Sequence, residues 1–559
     1  MADAAQCFDE LVADYYHAWF NFHPEAAVDV GVPGHDHQLA PYGDDACGAL
    51  AALHEKLLAG LDELDEQALD AERRLDYQVL RGAAIIEHHE LLEQDWRHRD
   101  PLRFLPVNAI YQLTVRPVQD LATALCGRLA TIPEHLRGAR SYLGELPALI
   151  PGLWLASAVT EARAGAEFMR ALPLHPRVAE AFPSPGRLTS LIDAAAHALE
   201  DFAHFLHSEL ETHAQGSFAC GQTHFERLLG LRHFLATDAD QLHAFGQRLF
   251  DATLAELRQA TRELRGDDDI AALTAQLKTQ HPALDDLLPT YRMQMLAAQR
   301  FVVAHDLVAM PAVQELRVVE TPAFLRHRIP FAAYLEPTPN DPAQCGHYYV
   351  TPPVDAAELS EHDHPGLMHT CVHEAWPGHH LQFVTANQHG PACSLPRLLN
   401  RSATLFEGWA LYCEQLMHEQ GFLNRPEQRF VLLRDRLWRA LRVMLDVELQ
   451  CRGLSVEAAV QRMQDTLGFP RSQALGELAW YTRSPTTPMG YAMGWALILA
   501  ARERLAARAK GEFSLRDFHD RLLAPGSVGL PLVMQHAFGA ALWQEVHAAV
   551  LAQASPNRD

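Results

Sequence analysis

The amino-acid sequence predicts a mainly α-helical fold: one large domain of two lobes around a cleft, with a small β element. Three observations predict it. Apolar residues recur at three- and four-residue spacing over most of the 559 residues. Leu and Ala, both strong helix formers, fill those stretches. One segment, residues 313–353, breaks the pattern with prolines and with β-branched and aromatic residues.

In chain order, the helical pattern begins with CFDELVADYYHAWF from Cys7, DDACGALAALHEKLLAGLDEL from Asp44 and ERRLDYQVLRGAAIIEHHELLEQ from Glu72. It continues around 150–170, 190–212, 238–263 and 286–308. Residues 1–312 thus form a helical N-terminal part. Residues 313–353 read as loops with short strands, LRVVE and HYYVT, placed near the cleft. Helices resume near 366 and run to about 550, with breaks near Pro396, Arg425–Pro426, Pro470 and Pro485–Pro488. Residues 354–550 form the second helical part. No low-complexity linker and no repeat of 20 to 50 residues interrupts the chain, which disfavours a solenoid.

Composition narrows the function. The net charge is −24, from 46 basic and 70 acidic residues, which argues against nucleic acid and anionic membrane surfaces as partners. No run of about 18 apolar residues is present, so no membrane span is expected. MADAAQCFDELVADYYHAWF carries acids where a secretory signal needs basic residues. The nine cysteines are odd in number, and no two are spaced C-x-x-C. Together these features predict a cytoplasmic protein with free thiols. Oligomeric state is not legible.

HEAWPGHH, residues 373–380, raises a metal question. Zinc needs imidazoles and carboxylates converging from three positions, with a fourth left for water. On an unbroken helix His379 would be rotated roughly 240° from His373, and His380 would lie roughly 10 Å along the axis. The helix cannot be unbroken, because Pro377 clashes with the carbonyl of His373 and Gly378 permits conformations other residues resist. A Pro-Gly turn can therefore return a late histidine toward His373. The alternative is a helix end holding chance histidines, in a chain with 32 of them.

A second segment, FEGWALYCEQL, places Glu407 28 residues after His379 at the start of a helix. It resembles the N-E-G-F-A-x-Y of gluzincins, whose third zinc ligand is a glutamate on a second helix. The plain alternative is a solvated glutamate. A third segment, YTRSPTTPMGYAMGW from Tyr481, places Tyr491 at a loop-to-helix junction, where a phenol can donate to a developing oxyanion. Arg483 in the same segment can hold a carboxylate bidentately. A packing tyrosine and a surface arginine are the plain alternatives. Arg401, Arg439 and Arg442 are further carboxylate candidates, although Arg442 and Asp446, four apart on one helix, read as a salt bridge. HYYVTPP, from His347, reads as an edge strand able to pair with an extended peptide, or as a strand whose His347, Tyr348 and Tyr349 simply pack.

HEAWPGHHLQ, EGWALYCE and YTRSPTTPMGYAMG together resemble the bacterial family called domain of unknown function 885. FSLRDFHDRLL followed by GLPL resembles its C-terminal segment. The resemblance is dense from about 345 to 535. That family is similar to zinc peptidases of the thimet oligopeptidase and angiotensin-converting-enzyme type, which are helical zincin-like folds with a deep cleft. The resemblance implies one Zn2+ held by His373, His379 and Glu407, Glu374 as general base, Tyr491 as oxyanion donor, and a short peptide as substrate. Arg483, Tyr481, Tyr349 and His380 are the implied substrate contacts. In H-E-F-G-H and H-E-x-x-G-H a glycine directly precedes the ligand, which selects His379 over His380. Relatives carry histidine near Gln450, a departure that bears on rate or substrate. A zinc amidohydrolase for a non-peptide amide and a non-catalytic peptide-binding protein are the competing expectations.

Overall fold

The structure is a computed structural model that describes residues 4–551 apart from 185, 323–325, 327, 328 and 330. It is mainly helical with one small sheet. The chain forms two compact units. One comprises Met1–Phe218, Pro322–Arg328 and Thr338–Asp341; the other comprises Ala219–Thr321, Ile329–Pro337 and Pro342–Asp559. The division differs from the boundary expected at 312. Residues 219–312 fold with the motif-bearing half, because helix Ala239–Arg265 packs along helix Pro426–Cys451.

The first unit is built on the predicted periodicity. Helix Leu121–Glu145 turns Leu125, Leu129, Ile132, Leu136 and Leu143 into the core, three, four or seven residues apart. Helix Gly186–Phe205 packs against it with Ile192, Ala195, Leu199 and Phe202, and helix Gly152–Ala171 packs on that central helix in turn with Leu155, Ala158, Ala162 and Ala166. Small side chains on the central helix let its neighbours approach closely. Each buried leucine contributes about 1.5–3 kcal/mol. Aspartates cap the helix starts: Asp70 accepts from the Arg73 amide at 2.9 Å, and Asp120 from that of Thr123 at 3.0 Å.

The second unit holds the sheet, in the order β1 (Glu315–Glu320), β3 (Cys345–Val350), β2 (Ala332–Leu335). Strand β3 pairs parallel with β1, Val318 opposite Tyr348, and antiparallel with β2, Tyr334 opposite Tyr348. The expected strands LRVVE and HYYVT are present, but the edge-strand reading of HYYVT is corrected. Strand β3 is central, and its backbone groups are taken from both sides. Strand β2 was not foreseen. The expected breaks fall where prolines begin helices: Leu395–Leu399, Pro426–Cys451 and, after Pro470, Arg471–Tyr481.

One helix crossing matters for the site. Helices Ala403–Glu419 and Gly490–Arg508 pack backbone to backbone at Gly408 and Gly494. A Cβ on Gly408 would lie 2.5 Å from the Gly494 Cα, and one on Gly494 would lie 1.9 Å from the Thr404 carbonyl oxygen. No other residue type allows this approach, which carries Glu407 and Tyr491 toward each other.

Candidate metal centre

The first helix of the motif, His364–Glu374, starts at Asp363, whose side chain accepts from the Gly366 amide at 2.8 Å. It ends where Pro377 requires it to. The Trp376–Pro377 peptide bond is cis. At Gly378 the chain passes so close to the preceding helix that a Cβ would lie 1.8 Å from the His373 carbonyl oxygen. Trp409 of the EGWALY helix donates to the Pro377 carbonyl at 2.8 Å, which ties the turn to the second motif. His379 then opens helix His379–Gln388. The turn returns its ring to 4.9 Å from the His373 ring, nearly perpendicular at 88°.

Glu407 completes the cluster. Its Oε2 lies 3.6 Å from His373 Nε2 and 3.3 Å from His379 Nε2. One ligand atom from each of the three residues falls within 4.8 Å of the others. A tetrahedral zinc with ligand bonds of 2.0–2.2 Å separates its ligand atoms by roughly 3.3 Å, so this spacing fits. Glu407 Oε2 is buried and accepts no hydrogen bond. A buried carboxylate oxygen left without a donor, facing two imidazole nitrogens, fits a cation among them.

Behind the cluster, Glu414 is almost wholly buried and sits 2.8 Å from His373 Nδ1. Its other oxygen lies 3.4 Å from Nδ1 of His369, and His369 Nε2 donates to the Gln428 carbonyl at 2.9 Å. Holding the His373 proton at Nδ1 leaves the Nε2 lone pair facing the cluster, as in carboxylate–histidine–metal arrangements. Burial alone would lower the His373 pKa, but the neighbouring Glu407 and Glu414 carboxylates raise it to about 10. Burial works to raise Glu407, yet His379 and His373 hold it well below the usual carboxylate range. The site stabilises positive charge. Glu414 and His369 were not singled out as functional from the sequence. The available signal was spacing: Glu414 stands seven residues beyond Glu407, and His369 four before His373, each on the ligand's own helix face.

The other expected residues divide into two groups. Glu374 ends the His373 helix, half-buried, and its charge acts on His373, Tyr291 and Tyr348. The Tyr491 ring lies parallel to His373, 6.4 Å away at 14°, and the Glu407 charge acts on its phenol. Burial, then the Glu407 charge, pushes this phenol well above its ordinary pKa, so it remains a donor. Tyr481 is fully buried behind Tyr491, its hydroxyl accepting from Arg442 Nε at 2.6 Å and Trp438 Nε1 at 3.2 Å. Arg483 is exposed beyond the end of that helix.

His380 points to the sheet. Its Nδ1 accepts from the Tyr334 hydroxyl at 3.0 Å and lies against Gly346 of β3. Burial lowers its pKa to about 3. The structure therefore groups His379 with His373, and not His380. Tyr349 lies in β3, its ring stacked 6.0 Å from that of His347. Gln450 is a joint: it accepts from the Cys220 amide at 3.0 Å and donates to the Tyr481 and Thr482 carbonyls, both at 3.2 Å. The expected Arg442–Asp446 pair is corrected as well. Asp446 accepts from the amides of Thr486 and Met489, at 3.2 and 3.3 Å, and fixes the loop before Tyr491, while Arg442 pairs with Glu477 at 2.9 Å. Beside the motif, a groove of about 510 Å³ runs along edge strand β1 and is also lined by Arg292, Gln314 and Trp376.

A family profile described as bacterial protein of unknown function (DUF885) matches residues 24–536. Two solved structures are similar in fold. One is a protein of unknown function from Shewanella oneidensis, provisionally called a lipoprotein, with TM-score 0.76 and 22% identity, covering 94% of this chain and 99% of that one. The other is a crystal structure from Colwellia psychrerythraea, likewise provisionally called a lipoprotein, with TM-score 0.79 and 17% identity, covering 96% and 99%. No curated protein matches.

Proposed function

We propose that this chain, which belongs to the DUF885 family of bacterial proteins of unknown function, is a zincin-like metallopeptidase acting on short peptides. The observation that carries the proposal is the buried, donor-free Oε2 of Glu407 facing the Nε2 atoms of His373 and His379. Two imidazoles and one carboxylate, with an open fourth position, suit a catalytic zinc. When bound there, the ion supplies Lewis-acid activation of water and carbonyl.

The chain's own residues do the rest. His373, His379 and Glu407 hold the metal, and Glu414 orients His373. Glu374 takes a proton from the attacking water and passes it to the leaving amine. Tyr491 donates to the oxyanion that develops on the scissile carbonyl. The groove along β1 offers an extended peptide a sheet edge, on which Arg292 Nε donates to the Val318 carbonyl at 3.0 Å. All nine cysteines are free, which supports residence in a reducing compartment; among the described residues no helix is long and apolar enough to cross a membrane. Cell fractionation tests the cytoplasmic assignment against the lipoprotein description of the similar structures.

The deciding experiment pairs elemental mass spectrometry with peptide turnover. Protein purified without added metal is expected to carry about one zinc per chain and to cleave short peptides. The Glu374→Gln variant should keep the zinc and lose turnover. Substantial hydrolysis by that variant, or failure to bind zinc at all, overturns the reading.

A further inference from the structure

Helix Pro426–Cys451 carries Arg439 and Arg442 three residues apart on one face. Both guanidinium groups stack on Trp438, at 4.3 and 4.2 Å, and both face the Tyr491 ring, at 5.9 and 4.5 Å. Arg442 is 96% buried; its Nε and one Nη are taken by Tyr481 and Glu477, and its Nη1 is buried without a hydrogen-bond partner. Arg439 Nε and Nη1 are buried without partners too, and Arg439 forms no ion pair among the described residues. Stacking on aromatic faces offsets part of the cost of burying a cation but leaves N–H donors unsatisfied. Three orphan donor nitrogens on two adjacent guanidinium groups, two on Arg439 and one on Arg442, therefore call for an anion that both can share.

From this arrangement we propose that Arg439 and Arg442 form a carboxylate subsite that captures the free C-terminus of the peptide substrate, which makes the enzyme an exopeptidase. The inference rests on the peptidase reading for its substrate, but the subsite is defined by its own atoms. Tyr491 lies between the arginines and the metal cluster: its ring faces Arg442 at 4.5 Å on one side and the His373 ring at 6.4 Å on the other. A carboxylate on the arginines is thus one aromatic ring from the cluster. An extended peptide advances about 3.3 Å per residue, so the bond presented for cleavage is roughly one to three residues from the C-terminus. Glu477 balances the charge of Arg442, and the bound carboxylate would balance that of Arg439.

The test uses a tetrapeptide library in which each member is made as free acid and as C-terminal amide. Binding is read by affinity capture and mass spectrometry on the full-length Glu374→Gln variant, so that it does not depend on turnover; cleavage is read on the wild type. Free acids should be captured at least about tenfold better than their amides. In Arg439→Gln that preference should fall to within about twofold, with zinc content unchanged. Arg439→Lys, which keeps the charge and loses the fork, should retain an intermediate preference. Equal capture of acids and amides, or capture of neither, overturns the subsite. Equal capture with cleavage overturns it while the peptidase reading stands. Acid-selective capture without any cleavage establishes the subsite and sinks the peptidase reading instead.

Discussion

Each compact unit holds a cluster of two histidines and one glutamate, His23, His54 and Glu87 in the first and His373, His379 and Glu407 in the second, and their pairing is opposite. In the first unit, Glu87 spreads its contacts over both oxygens. His23 Nε2 lies 2.7 Å from Oε1, while His54 Nε2 at 3.1 Å and the donating Trp19 Nε1 at 2.9 Å share Oε2. In the second unit, one oxygen of Glu407 faces both histidines at longer range and accepts no hydrogen bond, and a second carboxylate, Glu414, stands behind His373. Residue type is the same, yet among the described residues the second cluster is the one whose ligand atoms converge as a metal requires. In the first, an indole N–H already donates to the oxygen that His54 also faces. The comparison teaches that a histidine–glutamate cluster is read as a metal site from its unfilled valences, not from its composition.

The largest expected effect separates the two neighbouring histidines. His379→Ala should abolish stoichiometric zinc, whereas His380→Ala should retain it and lower stability by removing a buried partner of Tyr334. Elemental mass spectrometry on both variants decides it, and zinc loss from the His380 variant alone would reverse the ligand assignment. Next comes the carboxylate behind the cluster. Glu414→Gln should weaken zinc affinity about 10–100-fold, measured by chelator competition, because His373 loses the partner that orients it. Unchanged affinity would reduce Glu414 to a packing residue.

The first-unit cluster should respond in stability only. Glu87→Gln leaves the buried His54 and the partly exposed His23 without their carboxylate, a loss of up to about 3 kcal/mol, the low end for broken buried pairs because His23 and Glu87 meet solvent. Zinc content should not change. Although burial works to raise its pKa, His23 and His54 hold Glu87 well below the usual carboxylate range. A depressed pKa contributes stability above that range, and the contribution is lost as pH falls below it. Chemical denaturation of wild type and variant at neutral and acidic pH should therefore show the difference between them shrinking in acid. A constant difference would contradict the ion-pair account.

The helices and the second cluster were legible in the sequence, for identifiable reasons, whereas the first cluster was not read at all. Period-3.6 patterning marked the helices, and β-branched runs marked β1 and β3. Strand β2, AAYL, has neither alternation nor length, and it exists because β3 offers it a free edge. The boundary near 218 falls in the non-helical stretch 211–221, whose sequence ETHAQGSFACG lacks the low-complexity or charge-run composition that marks a linker. In the site, His373, His379 and Glu407 lie in contiguous motifs and could be read. Arg442 and Asp446 misled, since four-residue spacing suggests a pair, while their actual partners, Glu477, Thr486 and Met489, stand 35 to 43 residues away. Long-range satisfaction of buried polar groups is what one-dimensional spacing does not contain.

The smallest effect tests whether the second cluster is one device or two. The metal ligands sit on helices His364–Glu374, His379–Gln388 and Ala403–Glu419, but Tyr491 sits on Gly490–Arg508, held against Glu407 by the Gly408–Gly494 crossing. A methyl group at 494 would meet the Thr404 carbonyl at 1.9 Å, so Gly494→Ala must push that helix outward. Overpacking of this kind costs about 1–3 kcal/mol. The three ligands need not move, so zinc should stay near one per chain. Tyr491 must move, and turnover should fall toward the roughly hundredfold loss expected for a missing oxyanion donor. Zinc loss from this variant would mean that the Tyr491 helix is needed to hold the ligands. Full turnover with lowered stability would mean that Tyr491 is no donor and only packs on His373.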